Sequence, residues 1–189
     1  SNPKITKFSS EFIYGGKVLP NPKENYELNL EKVTYKWMNP NEPMVFIHVD
    51  GMMIDNSNED EARVVAWLIK EFKKVGIDSE NVVVLTPYRN QVEKIREEMI
   101  KRDLRRNEVE IKTVHSYLGA EKDIVIFSLV ATYPLSFNFL DRRMVNVATT
   151  RAKKKLIVVG NYNKVIENPD KPAFELLDYI MKNGLLVTE

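Results

Sequence analysis

The sequence predicts an α/β fold in three layers, a parallel sheet with helices on both faces. Two observations carry this. From Met44 onward, short β-branched runs alternate with longer segments of helical period, the pattern of strands joined by crossover helices. The runs are apolar almost throughout, which suits strands covered on both sides. With 189 residues, 43% apolar and 29% charged, the chain is long enough and apolar enough to bury the core of one domain.

Taken in order, the chain opens differently from the rest. A helical piece over Ile5 to Ile13 ends at Gly15-Gly16, and a stretch rich in Pro and Asn follows up to Pro43. Residues 1–43 therefore read as a connector, and 44–189 as the domain it leads into. The first strand is Met44 to Val49, with His48 inside it as a packed residue. The next segment puts Val65, Leu68, Ile69, Phe72 and Val75 on one helical stripe, and Arg63, Lys70, Lys73 and Lys74 elsewhere. Asn58 and Glu61 have the spacing of a capping box at its start, and Gly76 suits its end. A strand over Val82 to Leu85 precedes a helix over Asn90 to Lys101, with Val92, Ile95 and Met99 inward. Strands follow at Val109 to Val114 and Ile124 to Val130, then a helix over Met144 to Ala152, a strand over Leu156 to Val159 and a last helix over Ala173 to Asn183.

Composition excludes several functions. Without cysteine there are no disulfides, zinc-thiolate sites or thiol catalysis, and no metal site is read from the remaining residues. No apolar run reaches the length of a membrane span and no signal peptide opens the chain, so the expectation is a soluble protein of the cytoplasm, or of the nucleus in a eukaryote, without a membrane partner. Ser1 and Asn2, with no methionine before them, read as the remnant of a cleaved tag on an excised piece. A net charge of +1 leaves any phosphate-binding surface to local clusters. Arg102, Arg105 and Arg106 form one such cluster; Arg142, Arg143, Arg151, Lys153, Lys154 and Lys155 form another, and each also reads as a solvated helix end. The seven glycines build neither a G-x-x-x-x-G-K-[ST] phosphate loop nor a G-x-G-x-x-G dinucleotide turn. With only His48 and His115 as imidazoles, no Ser-His-Asp set assembles.

In an open parallel sheet, ligands gather at the carboxyl ends of the strands. After Leu85 comes Thr86-Pro87-Tyr88-Arg89-Asn90-Gln91; Thr113 and Val114 lead into His115-Ser116-Tyr117-Leu118-Gly119-Ala120-Glu121. Beyond Val130 lies a loop of about a dozen residues ending at Asp141-Arg142-Arg143, then the helix bearing Asn146, Thr149, Thr150 and Arg151, so one edge of the sheet is expected to carry hydroxyls, amides, an aromatic ring and arginines. Hydroxyls at such positions bond phosphate oxygens without reading sequence, and aromatic rings stack bases. Thr86, Tyr88, Arg89, Thr113, His115 and Ser116 are therefore the candidates for holding single-stranded nucleic acid. Tyr88 reads equally as a ring packed on the following helix, and Arg89 as a residue that serves either ligand or begins that helix.

The segments TPYRNQ, TVHSYLGAEKDIVIFSLV and RRMVNVATTRAKKKLIVVGN, in that order, resemble the motif IV-like, V and VI segments in the second RecA-like domain of superfamily 1 helicases. The resemblance is closest to the branch of the nonsense-mediated RNA decay helicase and the replication helicase-nuclease family. PKITKFSSEFIYGGKV is similar to the stretch after that family's Q-Y-R-M-H-P motif, and HVDG with NSNEDEA to its D-x-x-G…N-x-x-E-A. The resemblance implies a RecA-like domain that forms the C-terminal half of an ATP-driven motor on single-stranded DNA or RNA. ATP with Mg²⁺ would be bound mainly by a first RecA-like domain that this sequence does not contain, so the chain alone is expected to be inactive. It further implies that Arg151 is the arginine finger and that Gly119, Glu121 and Arg151 face the nucleotide. The chain departs from the family pattern where His115 replaces the aspartate and Leu118 the glutamine of motif V, and where Met144 stands at the second arginine position of motif VI; these departures support a competing reading as a non-catalytic nucleic-acid-binding or partner-binding module.

Overall fold

The computed structural model describes residues 1–16, 21 and 24–188. The elements in chain order are α1 (Pro3–Tyr14), β1 (Met44–His48), α2 (Glu59–Lys74), β2 (Val82–Thr86), α3 (Arg89–Lys101), β3 (Glu110–Thr113), β4 (Lys122–Ser128), α4 (Ser136–Phe139), α5 (Arg142–Arg151), β5 (Ala152–Gly160), α6 (Tyr162–Ile166), α7 (Pro172–Asn183) and β6 (Leu185–Val187). Among the described residues the strands form one six-stranded sheet in the order β3-β2-β4-β5-β1-β6. Every pairing is parallel, so the three-layer α/β architecture expected from the apolar runs is the one observed.

Successive side chains of a strand point to opposite faces, and the core divides accordingly. Met44, Phe46, Val83, Leu85, Val125, Phe127, Leu156 and Val158 face a layer containing α1, α5 and α7. Their neighbours Val45, Ile47, Val82, Val84, Ile124, Ile126, Ile157 and Val159 face α2 and α3. Only half of the expected capping box forms: the Asn58 side chain accepts from the Glu61 amide at the start of α2, but the Asn58 amide donates to Gln91, and the Glu61 carboxylate turns inward to Ser128 and Val130. At its end Gly76 takes φ +89°, where a Cβ would meet the Glu31 carboxylate at 2.7 Å.

Residues of the expected connector join this core. Ile5, Phe8 and Phe12 of α1 pack with one cluster, and Leu28, Trp37 and Met38 with the other. Positions 17–20 and 22–23, part of the same stretch, lie outside the described residues. Trp37 packs among Tyr35, Trp67 and Phe72, and its carbonyl accepts a hydrogen bond from the Lys155 ammonium. The same Nζ donates to the carbonyls of Asn39 and Glu42.

Lys155 is thus not part of a phosphate-binding patch: it is fully buried on β5, its three donors matched to three carbonyls of the 37–42 turn. Burial pushes its ammonium down to about 7, against the opposing carboxylate of Glu42. The rest of the basic run is dispersed. Lys153 and Lys154 reach Glu24 and Asp123, and Arg142 lies over the Phe12 ring while bonding the Phe12 carbonyl and Glu175. In the other cluster, Arg105 pairs with Glu108 and Arg106 with Glu93.

Three elements have no counterpart in the sequence reading. β6 is three residues long and pairs with β1 just after Gly184, while α4 and α6 are single turns. The fourth strand ends at Ser128, two residues short of the expected Val130, because Val130 turns to φ +66°.

Replacing Lys155 by Met keeps the apolar stem but leaves three carbonyls without their shared donor. The expected loss of stability is about 2–4 kcal/mol, measured by urea unfolding. An unchanged midpoint would show that the 37–42 turn is held by the Trp37 packing alone.

Candidate functional site

The sheet has two edges, and the sequence-predicted residues divide between them. Thr86 ends β2 and pairs in register with Thr113, which ends β3, so both lie at the carboxyl edge with Tyr88, Arg89, His115 and Ser116 just beyond. Arg151, in contrast, ends α5 where β5 begins, and the next residue, Ala152, pairs with Lys122, the first residue of β4. Gly119 and Glu121 immediately precede Lys122. These three residues therefore occupy the amino edge, roughly 20 Å away by the rise of a seven-residue strand. The sequence reading had grouped all of them at one edge, because it placed motif VI after β4 without accounting for the length of α5, which runs back across the sheet.

At the carboxyl edge, the Thr113 and Ser116 hydroxyls lie 2.8 Å apart and Ser116 also donates to the Thr113 carbonyl, closing the turn that presents His115. Arg89 is exposed at the first position of α3 and has no acidic partner among the described residues. Tyr88 is half-buried and stacks on Phe139 with centroids 4.9 Å apart. Burial raises its phenol above the ordinary tyrosine value, with Tyr133 adding to the effect. His115 meets Phe139 edge-on at 5.7 Å. Pro87, Tyr88, Arg89, Thr113, His115 and Ser116 line a cleft of about 330 Å³. Thr86 is not brought to it: its side chain is fully buried and Oγ1 has no hydrogen-bond partner.

At the amino edge, Arg151 is half-buried and its Nε is enclosed with no hydrogen-bond partner. No carboxylate pairs with it among the described residues. Glu121 is exposed, 3.4 Å from the Ser1 hydroxyl. Gly119 has a structural reason to be glycine, since a Cβ there would lie 2.6 Å from the Tyr117 ring. Tyr117 in turn donates its hydroxyl to the Ala120 carbonyl. Burial raises the Tyr117 phenol, Glu110 adds to the rise, and the Arg151 charge opposes it. Among the described residues no group of three His, Cys, Asp or Glu side chains converges in a way that could hold a metal ion. No helix among them is long and apolar enough to cross a membrane.

Between the edges lies a buried polar network that sequence reasoning only touched, through the capping box. Glu61 is fully buried, and its Oε1 accepts from the Ser128 hydroxyl at 2.8 Å and the Val130 amide at 2.9 Å. Gln91 donates to the Asn58 carbonyl and to Ser128 Oγ, and accepts from the Asn58 amide. Burial pushes the Glu61 carboxyl up to about 8, although its hydrogen bonds oppose the shift. The other residue missed was Phe139. Its sequence signal was weak, an aromatic side chain near the end of the loop before α5.

Comparison with known proteins places these features in context. Residues 1–163 match the sequence profile of a family described as AAA domain. The chain is 28% identical over 216 residues to a DNA replication ATP-dependent helicase/nuclease of Mus musculus, covering 98% of this chain and 20% of that one. It is 30% identical over 200 residues to the DNA polymerase alpha-associated DNA helicase A of Schizosaccharomyces pombe, covering 97% and 30%. With the Regulator of nonsense transcripts 1 homolog of Drosophila melanogaster it shares 32% identity over 173 residues, covering 85% and 14%. The chain thus spans less than a third of the length of these relatives. The crystal structure of the C-terminal domain of a possible DNA helicase from a Lactobacillus strain superposes with TM-score 0.58 and 13% identity, covering 98% of this chain and 96% of the other. At that identity the likeness concerns the fold.

The Glu61 carboxyl yields a pH prediction whose sign is set by its raised value. Between its ordinary 4.5 and about 8, the unfolded chain releases a proton that the folded chain keeps, so stability falls as pH rises through that window. Glu61→Gln should abolish this fall while costing about 1 kcal/mol or less, whereas Glu61→Ala should cost about 2–4 kcal/mol at every pH. Urea unfolding from pH 4.5 to pH 6.5, below the range in which the buried Lys155 ammonium loses its proton, checks this. A wild-type stability that rises over that range, with Glu61→Gln rising in parallel, would refute it.

Proposed function

Because this chain belongs to the AAA-domain family and is the C-terminal domain of a superfamily 1 helicase, we propose that its two edges serve the two ligands of an ATP-driven motor. The amino edge faces the nucleotide, and the carboxyl edge faces a single strand of DNA or RNA. ATP with Mg²⁺ would be held mainly by the preceding motor domain of the full-length protein, in the cleft between it and this domain, and closure of that cleft would move the strand.

The observation that carries this reading is the state of Arg151. A guanidinium without a carboxylate partner, its Nε enclosed, is oriented by the protein and still needs a counter-charge. Glu121 stands at the same edge, where it accepts from the Ser1 hydroxyl and does not pair with Arg151, and the Lys122–Ala152 pairing fixes where that edge begins. Arg151 neutralises charge that develops on the γ-phosphoryl oxygens, an effect of about 10³–10⁵ in rate for arginine fingers. Its planar fork spans two oxygens, which a lysine ammonium does not. Glu121 acts on the water or sugar side of the nucleotide. Gly119 keeps the loop against Tyr117, so it contributes by holding Glu121 in place.

Two outcomes are expected. In the full-length protein, Arg151→Ala lowers strand-stimulated ATP hydrolysis roughly a hundredfold or more, leaves nucleotide and single-strand affinity nearly intact, and is not rescued by Arg151→Lys. Near-normal turnover of Arg151→Ala would remove the arginine from the mechanism. The 189-residue chain by itself hydrolyses ATP no faster than background, because it has no phosphate loop. Strand-stimulated turnover by the chain alone would overturn the division of labour between the domains.

A further inference from the structure

Three rings from three different strand-end loops meet at the carboxyl edge. Tyr88 follows β2, His115 follows β3, and Phe139 belongs to the loop after β4. Leu140, the next residue, is fully buried and Asp141 caps α5, so the chain is fixed on one side of Phe139 while the ring itself is turned outward and 41% exposed. A phenyl ring left this open forgoes the burial that normally pays for an aromatic side chain. It is also held in place, stacked on Tyr88 at an interplanar angle of 20° and braced by His115 at 68°.

The ring stands at the end of a charged track. The cleft beside it shares Arg89, Thr113 and Ser116 with a second cleft of about 340 Å³, which adds Arg96 and Lys112. Arg89 and Lys112 have no acidic partner among the described residues, while Glu93 holds Arg96 and Arg106. On the other flank of α3, a wider cleft of about 590 Å³ is lined by Asp50, Asp55, Glu59, Asp60 and Glu97, a surface that repels phosphates and bounds the track.

We propose that Phe139 is a base-stacking residue of this protein: one base of a single strand lies on its open surface while the adjoining phosphates run past Arg89 and Lys112. The assignment rests on the reading that the carboxyl edge binds single strands, and it adds the residue and the mode. Stacking is indifferent to base identity, since every base has a π-face, whereas the cations see only phosphate. The two contributions therefore separate on a strand that has phosphates and no bases.

The experiment measures binding of short oligothymidylate, oligouridylate and an abasic strand of equal length to the 189-residue chain at low salt. Phe139→Ala should weaken binding of both base-containing strands roughly tenfold, the scale of one lost base stack, and leave abasic binding unchanged. Phe139→Trp should bind at least as tightly as wild type, while Phe139→Leu, apolar without a π-face, should behave like the alanine variant. Arg89→Ala with Lys112→Ala should weaken all three strands alike. Thermal unfolding within a few degrees of wild type establishes that each variant is folded. Wild-type binding of all strands with Phe139→Ala indistinguishable from it overturns the stacking role while the carboxyl edge keeps its assignment. Absence of any single-strand binding by the wild-type chain overturns both. Equal loss on abasic and base-containing strands in Phe139→Ala would mean that the ring only props up the cationic track.

Discussion

The Glu61 carboxyl is the constraint on which the carboxyl edge depends. Its Oε1 bonds the last residue of β4 and the amide of Val130, and Val130 has a positive φ of 66°, a conformation that a β-branched residue adopts only when its surroundings impose it. From that bend the chain leaves the sheet toward Tyr133, Leu135 and Phe139. Asn58 and Gln91 extend the same network to the starts of α2 and α3, so the loops after β2 and β4, which carry Tyr88, Arg89 and Phe139, share one buried polar knot. A carboxyl kept from water is costly when ionised, and the raised value reflects that cost. The compensation is geometric: two hydrogen bonds fix a loop that apolar packing alone would leave free to choose among bends.

With the loop fixed, the connection between the edges becomes clear. Two pieces of chain run from one to the other. One is the segment 114–121, which carries His115 and Ser116 at its carboxyl-edge end and Glu121 at the opposite end, with Tyr117 buried between them. The other is α5, about 15 Å long for ten residues, with the Phe139 loop before it and Arg151 at its end. Neither is loose. α5 is capped by Asp141, tied to α1 and α7 through Arg142, and its Thr149 and Thr150 hydroxyls bond back to the helix itself. Tyr117 is locked against Gly119 and Ala120. In the proposed motor, a shift at the nucleotide edge would reach the strand edge along these two struts as a rigid displacement.

Much of this was legible in sequence, and the failures have physical causes. Apolar strands covered on both faces announce themselves, and Asn58 with Glu61 marked the start of α2 because capping is a local interaction. β6 escaped because three residues after a glycine carry no period. Lys155 was read with its charged neighbours, since a basic run does not reveal that one ammonium meets three carbonyls more than a hundred residues earlier in the chain. The edge of Arg151 was misjudged for a related reason: a motif was located by the strand before it, whereas ten residues of helix carry its last arginine to the far side of the sheet. Phe139 could not be told from a core residue without knowing that Leu140, and not Phe139, turns inward.

The departures from the helicase pattern sort along the same division. Met144 stands where the family carries its second motif VI arginine, and it is fully buried in the core cluster with Val145 and Ala148. An arginine at that place would bring a charge into a packed apolar layer, so the substitution belongs with the packing of α5, and Arg151 is left as the arginine of that helix with an enclosed, unpaired donor. His115 and Leu118 are different. Both are exposed, Leu118 at 94%, and His115 touches the Phe139 ring. An imidazole in place of an aspartate removes a negative charge from the carboxyl edge beside Arg89, and a leucine in place of a glutamine removes a hydrogen-bonding side chain from a solvent-facing turn. Both changes fall on the 114–121 strut and leave α5 untouched. In the proposed motor they would bear on the strand edge, while the arginine that would act on the nucleotide keeps its setting.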